Sequence, residues 1–89
     1  MPHLSFTPNL ERVVACPAGS FAGGSVRAVL EAAFATRPET RAYVLDDRGA
    51  LRKHVVVFVN GEQVTDREGL ADAVGPDDRV FVMQALSGG

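Results

Sequence analysis

The side chains that carry most protein chemistry are sparse in this sequence and poorly spaced for it. His3 and His54 are its only histidines and Cys16 its only cysteine. The histidines stand far apart, with no carboxylate or thiol at a triad-like spacing, and isolated histidines are usually structural or exposed. One cysteine allows neither an internal disulfide nor a cysteine-built metal site, so Cys16 is expected to be a small, half-buried apolar residue. Gly23-Gly24 lacks the lysine and the glycine spacing of a phosphate cradle and reads as a loop. What remains is the ending Leu86-Ser87-Gly88-Gly89. Its reactive group is the α-carboxylate of Gly89, ionised at neutral pH. Glycine has no Cβ, so a narrow channel can accept this end and a nucleophile can approach its acyl carbon from either side. A carboxylate is a poor electrophile, however, and activation would have to come from another protein.

The elements that would position this end are legible in order. His3 to Thr7 alternates weakly and reads as a first strand, Pro8-Asn9 as a turn, and Arg12 to Cys16 as a second strand. Pro17, Gly19, Gly23 and Gly24 punctuate a loop. Ser25 is a good N-cap. Behind it Val26, Val29, Leu30, Ala33 and Phe34 share one helical face, while Arg27, Glu31 and Thr36 fall elsewhere. Pro38 predicts that the helix ends near Arg37. A short apolar element follows at Tyr43 to Leu45, then a turn at Asp46-Asp47-Arg48-Gly49 and an exposed basic rim of Arg48, Arg52, Lys53 and His54.

His54 to Val59 is the strongest strand. Val55, Val57 and Val59 would face the helix, and Val56 and Phe58 the other side. Asn60-Gly61 is a hairpin signal returning the chain as Glu62 to Thr65. Gly69 to Val74 reads as a short helical turn ended by Gly75-Pro76. Val80-Phe81-Val82 then begin a buried strand that runs into the tail. One amphipathic helix on a mixed sheet is an α+β two-layer fold. With the helix joining strands two and three, the first and last strands can lie side by side in the centre. That ββαββ order is the β-grasp, or ubiquitin-like, fold, here with four to five strands. Residues 1–86 are expected to form the domain and 87–89 a flexible tail, since chain ends are loosely held unless tied down.

Composition narrows the function classes. Eighty-nine residues, 46% of them hydrophobic, suffice for one small core. A formal charge of −2 argues against nucleic acid as a general partner. The charge is uneven. Between Glu62 and Arg79 six acids (Glu62, Asp66, Glu68, Asp72, Asp77, Asp78) face Arg67 and Arg79, a local net of −4, which leaves +2 elsewhere. Such a run is ordinarily a solvated face. With neither a signal peptide nor an apolar run long enough for a bilayer, a soluble cytoplasmic protein with no membrane partner is expected.

Several segments together resemble the ThiS/MoaD family of small sulfur carriers. They are Val57-Phe58-Val59-Asn60-Gly61-Glu62, Gly69-Leu70-Ala71-Asp72-Ala73, Asp78-Arg79-Val80 and the closing Leu86-Ser87-Gly88-Gly89. The likeness is nearest to actinobacterial carriers that feed thiocarboxylate-dependent cysteine synthesis. It covers the second half well, the helix fairly and the first twenty residues in pattern only. Two features depart from the family pattern. Gln84 stands where a proline usually precedes the tail, and Gly75-Pro76-Asp77-Asp78 replaces the common Asp-Gly-Asp.

The resemblance implies that Gly89 is the sulfur-acceptor terminus, with Gly88, Ser87 and Leu86 as its tail. An E1-like adenylyltransferase would adenylate the carboxylate using ATP and Mg²⁺, with no cofactor bound by the carrier itself. Sulfide would then displace AMP to leave a thiocarboxylate for a sulfur-accepting biosynthetic enzyme. On this reading the protein is a co-substrate and no enzyme. Val56, Phe58, Phe81 and Met83, on the sheet face away from the helix, are the candidate docking patch. Two alternatives share the fold: a ubiquitin-like modifier joined to lysine through the same tail, and a non-catalytic β-grasp interaction module.

Overall fold

The computed structural model describes residues 1–7 and 18–84. Five strands form one mixed sheet in the order β2-β1-β5-β3-β4: β1 His3–Phe6, β2 Gly19–Ser20, β3 Val55–Val59, β4 Glu62–Gln63 and β5 Arg79–Gln84. Helix α1, Val26–Phe34, covers one face; a 3-10 turn, Pro38–Thr40, and a single helical turn, α2 (Arg41–Val44), follow it. The first and last strands pair in parallel at the centre, from His3 opposite Arg79 to Phe6 opposite Val82. Strand β3 pairs antiparallel on the other edge of β5, from Val55 opposite Gln84 to Val59 opposite Val80. This is the β-grasp fold.

Alternation along the strands sets the two faces, because successive side chains point to opposite sides of a sheet. Leu4, Phe6, Val55, Val57, Val80 and Val82 are buried with Val26, Val29, Leu30, Ala33 and Phe34 of α1, and Val59 packs at the margin. The helix starts where Ser25, in extended geometry, accepts a hydrogen bond on Oγ from the Ala28 amide at 3.1 Å. It ends three residues earlier than the proline predicts. The amides of Thr36 and Arg37 reach back only to the carbonyls of Ala33 and Phe34, and the Thr36 hydroxyl also donates to Ala33. These i→i−3 bonds tighten the last turn before Pro38 is reached. Gly23 lies against the first turn of α1, where a Cβ would come within 2.8 Å of the Val29 nitrogen.

Three sequence expectations change. The partner of β1 is Gly19–Ser20, which the glycine-rich pattern read as loop. The expected strand Arg12 to Cys16, the Pro8-Asn9 turn and Cys16 lie outside the described residues. Strand β4 stops at Gln63, although the Val64 amide still donates to the Val57 carbonyl.

The third change is that Gly69 to Val74 is not a helical turn. The Asp66 carboxylate accepts from the amides of Gly69 and Ala71, and Leu70 takes a left-handed conformation with φ 54°. That geometry drives the Leu70 side chain fully into the core. It also turns the carbonyls of Leu70 and Asp72 toward the amides of Arg27 and Val26 at the open end of α1. The segment thus caps the main helix instead of forming one, satisfying donors that a helix N-terminus leaves unpaired.

Candidate functional site

The strand leading to the chain end is held from both sides. Every residue from Arg79 to Val82 has a partner on β1, and every residue from Val80 to Gln84 has one on β3. Val80 and Val82 are completely buried. Strand β5 therefore reaches Gln84 as the central rib of the sheet, with Val55 opposite its last residue. The five residues beyond Gln84, including Leu86, Ser87, Gly88 and Gly89, lie outside the described residues.

At the other end of β5 a clamp fixes its register. Asn60 and Gly61 both have positive φ, 52° and 85°, as a tight turn between β3 and β4 requires. Asn60 does more than turn the chain. Its Nδ2 donates to Asp78 Oδ1 at 2.8 Å, its Oδ1 accepts from the Arg79 amide at 2.9 Å, and its own amide donates to the Arg79 carbonyl. Asp78 Oδ2 in turn accepts from the Gly75 amide at 2.7 Å. The Gly75 amide first, and then the Asn60 side chain, hold the Asp78 carboxyl below the usual carboxylate range. The displaced glycine at position 75 is thus part of a closed turn whose amide the aspartate uses. Sequence reading found the hairpin and missed the clamp. Its signal was the pairing of Asn, the turn residue able both to donate and to accept, with an aspartate just before the last strand.

On the face away from α1, Val56 stands opposite Met83 and Phe58 opposite Phe81. The structure brings these four together as a two-by-two block, each side chain half-buried. Ser5 flanks Phe81 on β1 and Gln63 flanks Phe58 on β4. His3 stands beside Arg79 at the start of β5, while His54 directly precedes Val55, whose partner is the last residue of β5. The two histidines therefore sit at opposite ends of the sheet and form no site together.

The basic rim is exposed at Arg48, Arg52, Lys53 and His54, but it is partly neutralised from within. Asp46 is held below the usual carboxylate range by the amides of Arg48 and Ala50, with a smaller contribution from the charges of Arg48 and Arg52. A wide groove of about 480 Å³ lies between the β3–β4 hairpin and residues 72–78, lined by Asn60, Glu62, Thr65, Asp72 and Asp78 among others. Its aspartates are engaged: Asp72 accepts from the amides of Thr65 and Asp66, and Asp78 from Gly75. Among the described residues no group of three potential metal ligands gathers, and no helix is long and apolar enough to cross a membrane.

The profile of the ThiS family matches residues 20–89, most of the chain and all of the final strand and tail. The chain belongs to the ThiS family. Carriers of this family are co-substrates rather than catalysts. Among solved structures, this ThiS-family chain is similar to CysO of Mycobacterium tuberculosis, at 25% identity and a TM-score of 0.81, covering 97% of this chain and 100% of that one. It is also similar to a chain of the Amycolatopsis orientalis BexX/CysO complex, at 20% identity and a TM-score of 0.84, with 100% of both chains covered. SAMP1 of Haloferax volcanii gives 24% identity and a TM-score of 0.77 over 98% of this chain and 97% of that one. Comparison with curated protein sequences gave no match.

Proposed function

We propose that this protein carries sulfur on the Gly89 carboxylate. An E1-like enzyme would adenylate that carboxylate with ATP and Mg²⁺. Sulfide then displaces AMP and leaves a C-terminal thiocarboxylate. A biosynthetic enzyme takes the sulfur and returns the carboxylate. The observation that carries this reading is the family match running through to Gly89, on a chain whose central strand leads to that end. The partner supplies Mg²⁺, charge stabilisation and orientation at the acyl phosphate. The block of Val56, Phe58, Phe81 and Met83 is the surface we assign to docking. A structure in which a similar CysO chain is complexed with BexX supports a biosynthetic enzyme as one of its partners.

Incubation with an E1-like adenylyltransferase, ATP, Mg²⁺ and sulfide tests the proposal. The intact mass should gain the increment of one oxygen exchanged for sulfur, and a chain lacking Gly88 and Gly89 should gain nothing. Release of pyrophosphate from ATP in the presence of the shortened chain would sink the assignment to Gly89.

The similarity to SAMP1, described as a small archaeal modifier protein, favours a second reading, conjugation of the same acyl group to lysines of other proteins. Branched peptides ending in Gly-Gly on host proteins would report it.

A further inference from the structure

The turn between β3 and β4 holds a reactive pair that needs no enzyme. Asparagine is a thermolabile residue, and its carboxamide carbon is open to attack by the next backbone nitrogen. Attack is easiest before glycine, where no Cβ stands in the way. At Asn60-Gly61 the nucleophile is unencumbered. Gly61 is exposed, and a Cβ there would have no neighbour within 4 Å beyond the adjoining residues. Its amide donates to no backbone carbonyl among the described residues.

The electrophile, by contrast, is held. Asn60 Nδ2 donates to Asp78 Oδ1 at 2.8 Å, and Asn60 Oδ1 accepts from the Arg79 amide at 2.9 Å. Both polar atoms of the carboxamide are thus fixed on the approach to β5, while Gly61 continues toward β4. The backbone is fixed as well: Asn60 has φ 52°, and its amide donates to the Arg79 carbonyl. Ring closure requires the side chain to leave both partners and bring its Cγ over the Gly61 nitrogen. Two hydrogen bonds, one of them to a carboxylate, keep the released side chain to on the order of one part in a hundred. Asn60 is exposed, so water reaches the ring once it has formed.

We propose that Asn60 is a site of spontaneous deamidation, that the Asp78 clamp sets its rate, and that the product cannot re-form the clamp. The Gly61 nitrogen loses its proton to solvent base and attacks Asn60 Cγ. An N–C bond forms, the Cγ–Nδ2 bond breaks, and ammonia leaves with the returned proton. Water then opens either carbonyl of the cyclic succinimide, leaving aspartate or isoaspartate at position 60. Nothing is oxidised or reduced. One oxygen of the new carboxylate can still accept from the Arg79 amide. The other faces Asp78 Oδ1, and two ionised carboxylates have no proton to share and repel at hydrogen-bond distance. The isoaspartate form also adds a methylene to the backbone of a two-residue turn. The clamp on the start of β5 is therefore lost in one direction only, and the protein carries a record of its age at this turn.

The test needs no partner protein. The full chain is warmed at mildly alkaline pH, folded in buffer or unfolded in guanidinium chloride, and conversion at position 60 is followed by peptide mapping. The unfolded chain should convert on the order of a hundredfold faster than the folded one. Asp78→Ala, shown to be folded by circular dichroism, should convert at least about tenfold faster than wild type. Asn60→Asp reports the consequence: its urea midpoint should fall below that of wild type. Combining it with Asp78→Asn exchanges donor and acceptor across the clamp and should recover most of that loss, a readout that stands even if Asp78→Ala does not fold. Equal conversion of folded and unfolded wild type, a folded Asp78→Ala that converts at the wild-type rate, or an Asn60→Asp midpoint equal to that of wild type would each overturn the proposal.

Discussion

Replacement of Leu70 by alanine and by glycine separates the observed capping segment from the helical turn that the sequence suggests. Leu70 is fully buried and has φ 54°. Leu70→Ala removes a core side chain, a change that costs about 2–5 kcal/mol depending on how far the cavity collapses. For a domain of this size each kcal/mol lowers Tm by about 4–8 °C, so a loss near 3 kcal/mol is a shift on the order of 15–20 °C. The informative quantity is the further step to glycine. In a helix, Leu70→Gly would be worse than Leu70→Ala by about 1 kcal/mol of propensity, and the lost methyl adds to that. In the left-handed region alanine instead carries a Cβ penalty of about 1–2 kcal/mol that glycine escapes. This offsets the methyl and the greater unfolded-chain entropy of glycine, about 0.4–1 kcal/mol. The two variants should therefore unfold within about 0.5 kcal/mol of each other. With no tryptophan and one tyrosine in the chain, urea titration followed by far-ultraviolet circular dichroism is the suitable assay. A Leu70→Gly protein less stable than Leu70→Ala by a full kcal/mol would refute the left-handed cap.

Three further outcomes are expected. Ser25→Ala removes the acceptor for the Ala28 amide and should cost about 1 kcal/mol in urea unfolding, with Ser25→Asp restoring most of it. Asp46, Asp66 and Asp78 are each held below the usual carboxylate range, chiefly by backbone amides. Groups easier to ionise when folded add stability that is complete above their unfolded values and lost as pH falls through their folded values. Urea midpoints should therefore drop as pH goes through and below the ordinary carboxylate range, less steeply in Asp66→Asn; an unchanged slope in that variant would remove Asp66 from the account. Phe58→Ala should raise KM for the activating enzyme about tenfold, equivalent to 1.4 kcal/mol, with kcat little changed. Unaltered KM would clear the open sheet face of a docking role.

The parts of this fold that were readable are those where side-chain type and spacing meet a local rule. Ser25, the Val26–Val29–Leu30–Ala33–Phe34 stripe, the run of valines in β3 and Asn60-Gly61 each state their conformation within a few residues. The central pairing of the first and last strands followed from connectivity, because a helix between strands two and three lets those two strands lie side by side. What escaped was decided at a distance. Gly19–Ser20 carries no strand signal of its own and pairs because β1 offers it an edge. Leu70 leaves the helical region because Asp66 occupies the amides of Gly69 and Ala71 while α1 draws its carbonyl and the core its side chain. The candidate site divides in the same way. The block of Val56, Phe58, Phe81 and Met83 followed from alternation along two strands, whereas the Asn60–Asp78 clamp joins residues eighteen apart that no local rule connects.

The central position of β5 also has a mechanical meaning. A partner that draws the chain end into a narrow channel pulls along the axis of a strand bonded on both edges, parallel to β1 on one side and antiparallel to β3 on the other. Such tension loads the two ladders in shear, so their bonds must fail together rather than peel one at a time. Force applied beyond Gln84 is therefore borne by both ladders at once, and the body behind it keeps its shape.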